Sequence, residues 1–185
     1  MSCRRAFSVL RRHLVPPNKN ERPVPVVLAF SKLSNLSNNN NLSQLESALK
    51  SSFVDNSDIE LSIIEIDSSK DLLETLTTLT KQTPPVLISV DMKILAGLKF
   101  LESRPLDGFV AITPPDFNNR NDVGVGKLER PVCDLLVFSS NERSKSLHNF
   151  YSQGQNQNQC SLQVEIETDI SSTVDIILEW YNERF

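Results

Sequence analysis

Glycine and histidine are what this chain has least of, given what they do. Only five glycines and two histidines occur among 185 residues. The backbone therefore has few places to turn left-handed without strain, and few side chains change charge near neutral pH. The three cysteines, Cys3, Cys133 and Cys160, are odd in number and lack metal-ligand spacing, which argues against a disulfide scaffold. Cys133 sits in an apolar run and Cys160 beside another, where a thiol acts as a small hydrophobe. No apolar run approaches the ~20 residues that cross a bilayer, so no membrane span is expected. Gly124-Val125-Gly126 lies in a loop without the third glycine of a dinucleotide fingerprint, and no phosphate loop occurs. Asp55, Asp58, Asp67 and Asp71 are too scattered for a metal site and suit caps and turns. Neither a cofactor nor a metal is expected.

Charge is unevenly placed. The net charge is −4, yet Met1 to Arg22 holds six Arg or Lys against the single acid Glu21, a net +5, which leaves −9 on the rest. Within MSCRRAFSVLRRHLVPP, helical spacing puts Phe7, Leu10 and Leu14 on one face and crowds the arginines onto the others. That is the pattern of a mitochondrial targeting presequence. The expectation is import into the mitochondrial matrix, with plastid or cytoplasmic residence as lesser alternatives. A body of −9 argues against nucleic-acid binding through its own face, so such contact is expected only through the basic N-terminal segment. Residues 1–23 read as that segment and a Pro-punctuated linker, and 24–185 as one domain.

Strand and helix patterns alternate along the domain. Val24 to Phe30, Ile59 to Ile66, Val86 to Val90, Gly108 to Thr113, Val132 to Phe138 and Ser161 to Ile166 are short apolar, β-branched runs that read as buried strands. Ser43-x-x-Glu46 is a capping box that starts a helix striped by Leu42, Leu45, Leu49 and Phe53. Ser68, with Asp71 in the first turn, caps a helix striped by Leu72, Leu73, Leu76 and Leu79. Ile94, Leu95, Leu98 and Leu101 stripe a helix over Met92 to Ser103, leaving Phe100 off the stripe as a hint of an apolar contact outside the core. Leu147, Phe150 and Tyr151 lie on a short helix, and Ile170, Val174, Ile177, Leu178 and Tyr181 on a closing one. Trp180 and Tyr181 read as core anchors of that helix, with partner contact as the minor alternative. The pattern predicts an α/β domain with a doubly wound, mostly parallel six-stranded sheet flanked by helices.

The stretch LAGLKFLESRPLDGFVAITPP resembles the α/β-hydrolase family. It has the helix after that family's nucleophile, a small-residue packing position at Ala96-Gly97, and a strand ending in a Thr-Pro-Pro turn. RPVCDLLVFSS resembles the strand before the family's acid loop, and EWYNERF its last helix. The resemblance covers about residues 24–185. It implies a minimal version lacking the first two strands and any sizeable lid, with the six strands in the order 2-1-3-4-5-6.

The same resemblance locates the chemistry. The family's nucleophile elbow is G-x-S-x-G, a strained strand-to-helix turn that exposes its central side chain. Here the glycines fall at Ser89 and Lys93 and the nucleophile at Asp91. Aspartate nucleophiles work through an ester intermediate in family branches that open epoxides or displace halide, but Lys93 is bulky and would draw Asp91 into a salt bridge. Ser89 sits on the strand, not at the turn. The oxyanion loop's His-Gly pair is replaced by Phe30-Ser31-Lys32-Leu33. The acid falls at Asn141 or Glu142, of which only Glu142 is chemically acceptable. The histidine should fall at about Thr168 to Ser172, and none is there. His13 lies in the basic segment and His148 on a helix before the last strand. Without a positioned base neither attack nor ester hydrolysis has a proton-transfer partner.

The expectation is therefore a non-catalytic α/β-hydrolase-like protein. It would act as a structural or interaction subunit among protein partners in a larger mitochondrial assembly, such as the mitoribosome or a respiratory complex. One alternative is a small hydrolase using Asp91 as nucleophile with Glu142. Another is a ligand-binding module using the former active-site cleft.

Overall fold

The computed structural model describes residues 10–14, 24–30, 39–65, 74–78, 83–91, 94, 97, 98, 100, 101, 104–113, 133–138, 162–165 and 169–185. Seven strands form one sheet: β1 (Leu10–Leu14), β2 (Val26–Phe30), β3 (Leu61–Glu65), β4 (Val86–Val90), β5 (Gly108–Ile112), β6 (Asp134–Phe138) and β7 (Leu162–Glu165), in the order β1-β3-β2-β4-β5-β6-β7. From β3 through β7 every pairing is parallel. The expected order of six strands is therefore present. The seventh strand is not foreseen by the sequence pattern.

That strand corrects the reading of the N-terminal segment. Leu10 to Leu14 is not helical; it pairs antiparallel with β3, with Leu10 opposite Glu65 and Leu14 opposite Leu61. The sheet thus begins before residue 24, and the expected six strands become seven. The physical reason is β3's second edge, whose backbone N–H and C=O groups need partners that β1 supplies. Arg12 also pairs with Glu46 on the neighbouring helix, so part of the segment's positive charge is met within the fold.

Strand alternation sorts the core onto two faces. Val27, Ala29, Leu87, Phe109, Ala111, Leu135 and Val137 pack on one face with Leu76, Ile94, Leu98, Phe100 and Leu101. Val26, Leu28, Ile63, Ile88, Val110, Leu136 and Phe138 pack on the other, with Leu45, Leu49, Phe53, Val174, Ile177, Trp180 and Tyr181. The sheet is therefore covered by helical residues on both sides. Phe100 is 1% exposed within the first cluster, which overturns the idea of an outward contact; the stripe is broad enough to take it in.

The second face carries α1 (Asn39–Leu49), continued by a π-helical turn (Lys50–Asp55), and the C-terminal helix (Ile170–Asn182). α1 begins before Ser43, so Ser43-x-x-Glu46 lies inside the helix instead of starting it. Its stripe holds: Leu45, Leu49 and Phe53 are buried. Residues 74–78 and 94, 97, 98, 100 and 101 are helical; Ser68, Asp71, Leu72, Leu73, Leu79 and Leu95 lie outside the described residues, as do Leu147, Phe150 and Tyr151.

Two glycines set how closely these layers approach. A Cβ on Gly97 would stand 2.7 Å from Phe109 Cε2, and one on Gly108 would stand 2.6 Å from Trp180 Cη2. Trp180 and Tyr181 are core anchors as expected, at 1% and 2% exposure. The Tyr181 hydroxyl donates to the Val24 carbonyl at 2.6 Å, tying the chain's last helix to the entry of β2. Arg184 bonds Asp134 Oδ2 at 3.1 Å and lies over the Trp180 ring.

Candidate functional site

The corner after β4 is a sharp turn. Asp91 adopts φ +54°, a left-handed conformation that aspartate tolerates better than most residues. Its N–H donates to the Ile112 carbonyl at 3.0 Å, and its own carbonyl accepts from Ile94 N–H at 3.1 Å. One bond fastens the turn to β5 and the other opens the next helix. Asp91 is 7% exposed. Met92 and Lys93 lie outside the described residues, and with them the expected salt bridge.

Ser89 is placed quite differently. It is fully buried, in register between Ala29 of β2 and Ala111 of β5, on the face that carries Leu87. Its hydroxyl has no hydrogen-bond partner among the described residues. The small neighbours leave room for the Ile94 and Leu98 helix to settle against the strands. A serine there serves packing.

A second left-handed corner follows β5. Thr113 has φ +52°, donates its N–H to the Phe138 carbonyl at 2.9 Å and its hydroxyl to the Ile112 carbonyl at 2.8 Å. For a β-branched residue this is a strained backbone, and the residue before a proline is pushed toward extended conformations as well. The next residue is Pro114. Strands β4 and β5 thus end side by side in two left-handed residues, neither of them glycine.

After β7 the chain enters its last helix through Asp169. This residue is the N-cap: Oδ1 accepts from Ser172 N–H at 3.0 Å and Oδ2 from the Ser172 hydroxyl at 2.7 Å. These bonds, the backbone one first, hold its carboxyl below the ordinary value. A cap residue just before an apolar helical stripe is a readable signal, but a search for histidine at Thr168 to Ser172 passes over it.

The remaining positions from the resemblance divide cleanly. Phe30 is buried at the end of β2, while Ser31, Lys32, Leu33, Asn141, Glu142, His148 and Thr168 lie outside the described residues. His13 stands on β1 opposite Ser62, with β3 and β2 between it and β4. At ~4.8 Å per strand that is roughly 14 Å from the Asp91 corner. The structure does not bring His13 to Asp91. Among the described residues no three His, Cys, Asp or Glu side chains cluster as metal ligands.

A cleft of about 600 Å³ opens at the carboxyl ends of β5 and β6, between α1 and the start of the C-terminal helix. Leu45, Ile112, Phe138 and Ile170 supply apolar lining; Asn41, Gln44, Thr113, Ser171 and Thr173 supply amides and hydroxyls; and Asp169 supplies a carboxylate. Asp91 is not among the lining residues, although it bonds Ile112, which is. Asn41 and Gln44, both on α1, carry no signal in the sequence that marks them as site residues.

No family model matches this chain, and no curated protein matches it in sequence. Solved structures do match it in shape. A monoacylglycerol lipase of Paleococcus ferrophilus superimposes with a TM-score of 0.60 at 10% identity, covering 97% of this chain and 100% of that one. A carboxylesterase of Bacillus cereus gives 0.63 at 14% identity over 96% and 95%. A soluble variant of the Saccharomyces cerevisiae monoglyceride lipase gives 0.61 at 9% identity over 95% and 92%. Identities this low carry architecture and leave chemistry to the residues themselves. The parallel sheet, its order and the strained corner after β4 agree with that likeness: this chain has the α/β-hydrolase fold.

Proposed function

We propose that the chain is a non-catalytic relative of the α/β-hydrolases, working as a structural or interaction subunit of a larger mitochondrial assembly such as a mitoribosome or respiratory complex. The observation that carries the non-catalytic part is the seat after β7. Where the fold would offer a base, Asp169 is committed to capping a helix, and its lowered carboxyl pKa makes it a poor proton acceptor near neutral pH. His13 is held on the opposite edge of the sheet. The Asp91 corner keeps a nucleophile's backbone geometry, while residues 168–172 contain no histidine.

Two measurements test this. Purified protein is expected to hydrolyse short and long acyl esters no faster than buffer, with Asp91→Asn indistinguishable from the native chain. Turnover that disappears in Asp91→Asn would establish the Asp91 hydrolase instead. In gentle lysates the native protein is expected to co-sediment with a large complex, and a monomer-sized peak would end the subunit reading.

The cleft favours a second reading, a ligand-binding module. Its volume of about 600 Å³ falls within the ~300–1,000 Å³ of small-molecule sites. Its mixture of apolar lining and convergent amides and hydroxyls is what such sites use to orient a ligand.

A further inference from the structure

The sheet ends at β1, and that end is an edge. One side of Leu10–Leu14 pairs antiparallel with β3, and among the described residues no strand pairs with its other side. Alternate residues of a strand aim their N–H and C=O groups to opposite edges, so β1 presents a short row of backbone donors and acceptors outward. Among its described side chains, Leu14 packs against the second core cluster and Arg12 meets Glu46 of α1.

Charge selects what can complete that row. Glu46 answers Arg12 alone; residues 1–22 hold six Arg or Lys against one acid, a net +5. Charged residues on an edge strand ordinarily repel other strands, and charge of one sign repels selectively. A second copy pairing antiparallel over all five residues would set Arg12 against Arg12 and Arg11 against His13. Like charges directly opposite destabilise a ladder, so self-pairing is disfavoured. An acidic strand meets opposite charge instead. A nucleic acid meets the same charge but has no peptide backbone to continue the ladder.

From this juxtaposition of an unpaired sheet edge and a basic segment, we infer that the outer edge of β1 binds an acidic extended segment of a partner protein as an added strand. This deepens the interaction-subunit reading and rests on it. Backbone bonds to the edge supply the affinity, and charge supplies the selection.

Defined peptides test it on the full chain. Fluorescently labelled hexapeptides that alternate valine with glutamate, glutamine or lysine share one backbone and differ in charge, so anisotropy titration isolates the selection. The glutamate peptide is expected to bind roughly tenfold more tightly than the lysine peptide, since exposed charge contacts favour one and penalise the other by a few-fold each. The glutamine peptide is expected to fall between them. A glutamate peptide N-methylated at every residue keeps its charge, loses its ladder donors and is expected not to bind. Arg11→Glu, verified as folded by circular dichroism, is expected to narrow the preference several-fold. Equal binding of the glutamate and lysine peptides, undiminished binding after N-methylation, an unchanged preference in Arg11→Glu, or no binding of any peptide overturns the proposal. Displacement of the glutamate peptide by a single-stranded RNA hexamer would overturn it in favour of nucleic acid. Full-chain dimers in sedimentation velocity that tighten in Arg11→Glu would overturn it in favour of a second copy. A monomer-sized peak in gentle lysates would instead end the subunit reading, and is scored separately from the titrations.

Discussion

Single residues decide what the corner after β4 can be. Asp91 and Thr113 hold left-handed backbones that cost a non-glycine residue about 1–2 kcal/mol. Aspartate and asparagine bear this better than β-branched residues. Asp91→Val is therefore expected to lose about 1–2 kcal/mol more stability than Asp91→Asn in urea unfolding; equal losses would mean that the turn does not enforce its φ. Tyr181 offers a second test. Burial, then the charge of Asp107, pushes its hydroxyl pKa well above the ordinary tyrosine value of 10.0. A raised folded-state pKa means that the stability it contributes is fully present below pH 10 and is lost as pH climbs beyond it. Tyr181→Phe should cost about 1–2 kcal/mol at neutral pH, by stranding the Val24 carbonyl, and should flatten the alkaline limb of the pH–stability curve. A limb equally steep in the variant would move that dependence to other groups.

Elements are where the sequence spoke most and also where it misled. The six parallel strands were legible because each is a short apolar run bounded by turn residues. The stripes Leu45–Leu49–Phe53 and Val174–Ile177–Tyr181 were legible because helical spacing repeats over several turns. β1 was not. In LRRHL the pair Leu10 and Leu14 fits a helix at i, i+4 as well as it fits alternate positions of a strand, and what selects the strand is the backbone edge of β3, 47 or more residues later in the chain. The candidate site was half legible for a similar reason. Local wording marks the Asp91 corner, but the cleft is made by α1, β5, β6 and the C-terminal helix meeting, which no local window contains. Contact between elements also gives a prediction. Gly97→Ala would place a methyl 2.7 Å from the Phe109 ring, and overpacking of this kind costs about 1–3 kcal/mol. Phe109→Leu in the same chain is expected to recover part of that loss. A double-mutant cycle with no coupling would show that the helix and strand do not meet there.

At the scale of the whole molecule, the N-terminal segment is asked to do two things. A mitochondrial address requires an arginine-rich leader, and processing would remove it. The sheet requires Leu10–Leu14 as its antiparallel edge, with five residue pairs to β3 and the Arg12–Glu46 ion pair beside it. Both can be true only if any cut falls before Leu10. A chain cut at residue 23 would leave the outer edge of Leu61–Glu65 bare, a row of unpaired backbone groups inviting pairing with another chain. The exposed ion pair itself adds only about 0–1 kcal/mol, so the strand's ladder carries most of the effect. Removing residues 1–9 is expected to leave Tm unchanged. Removing residues 1–14 is expected to lower Tm by several degrees and to promote concentration-dependent association in light scattering. On the proposed mitochondrial reading, the intact mass of the protein isolated from mitochondria should place the mature N-terminus at or before Leu10. A mature, soluble, monomeric chain that starts beyond Leu14 would show that the fold does without β1, and that the basic segment serves as an address alone.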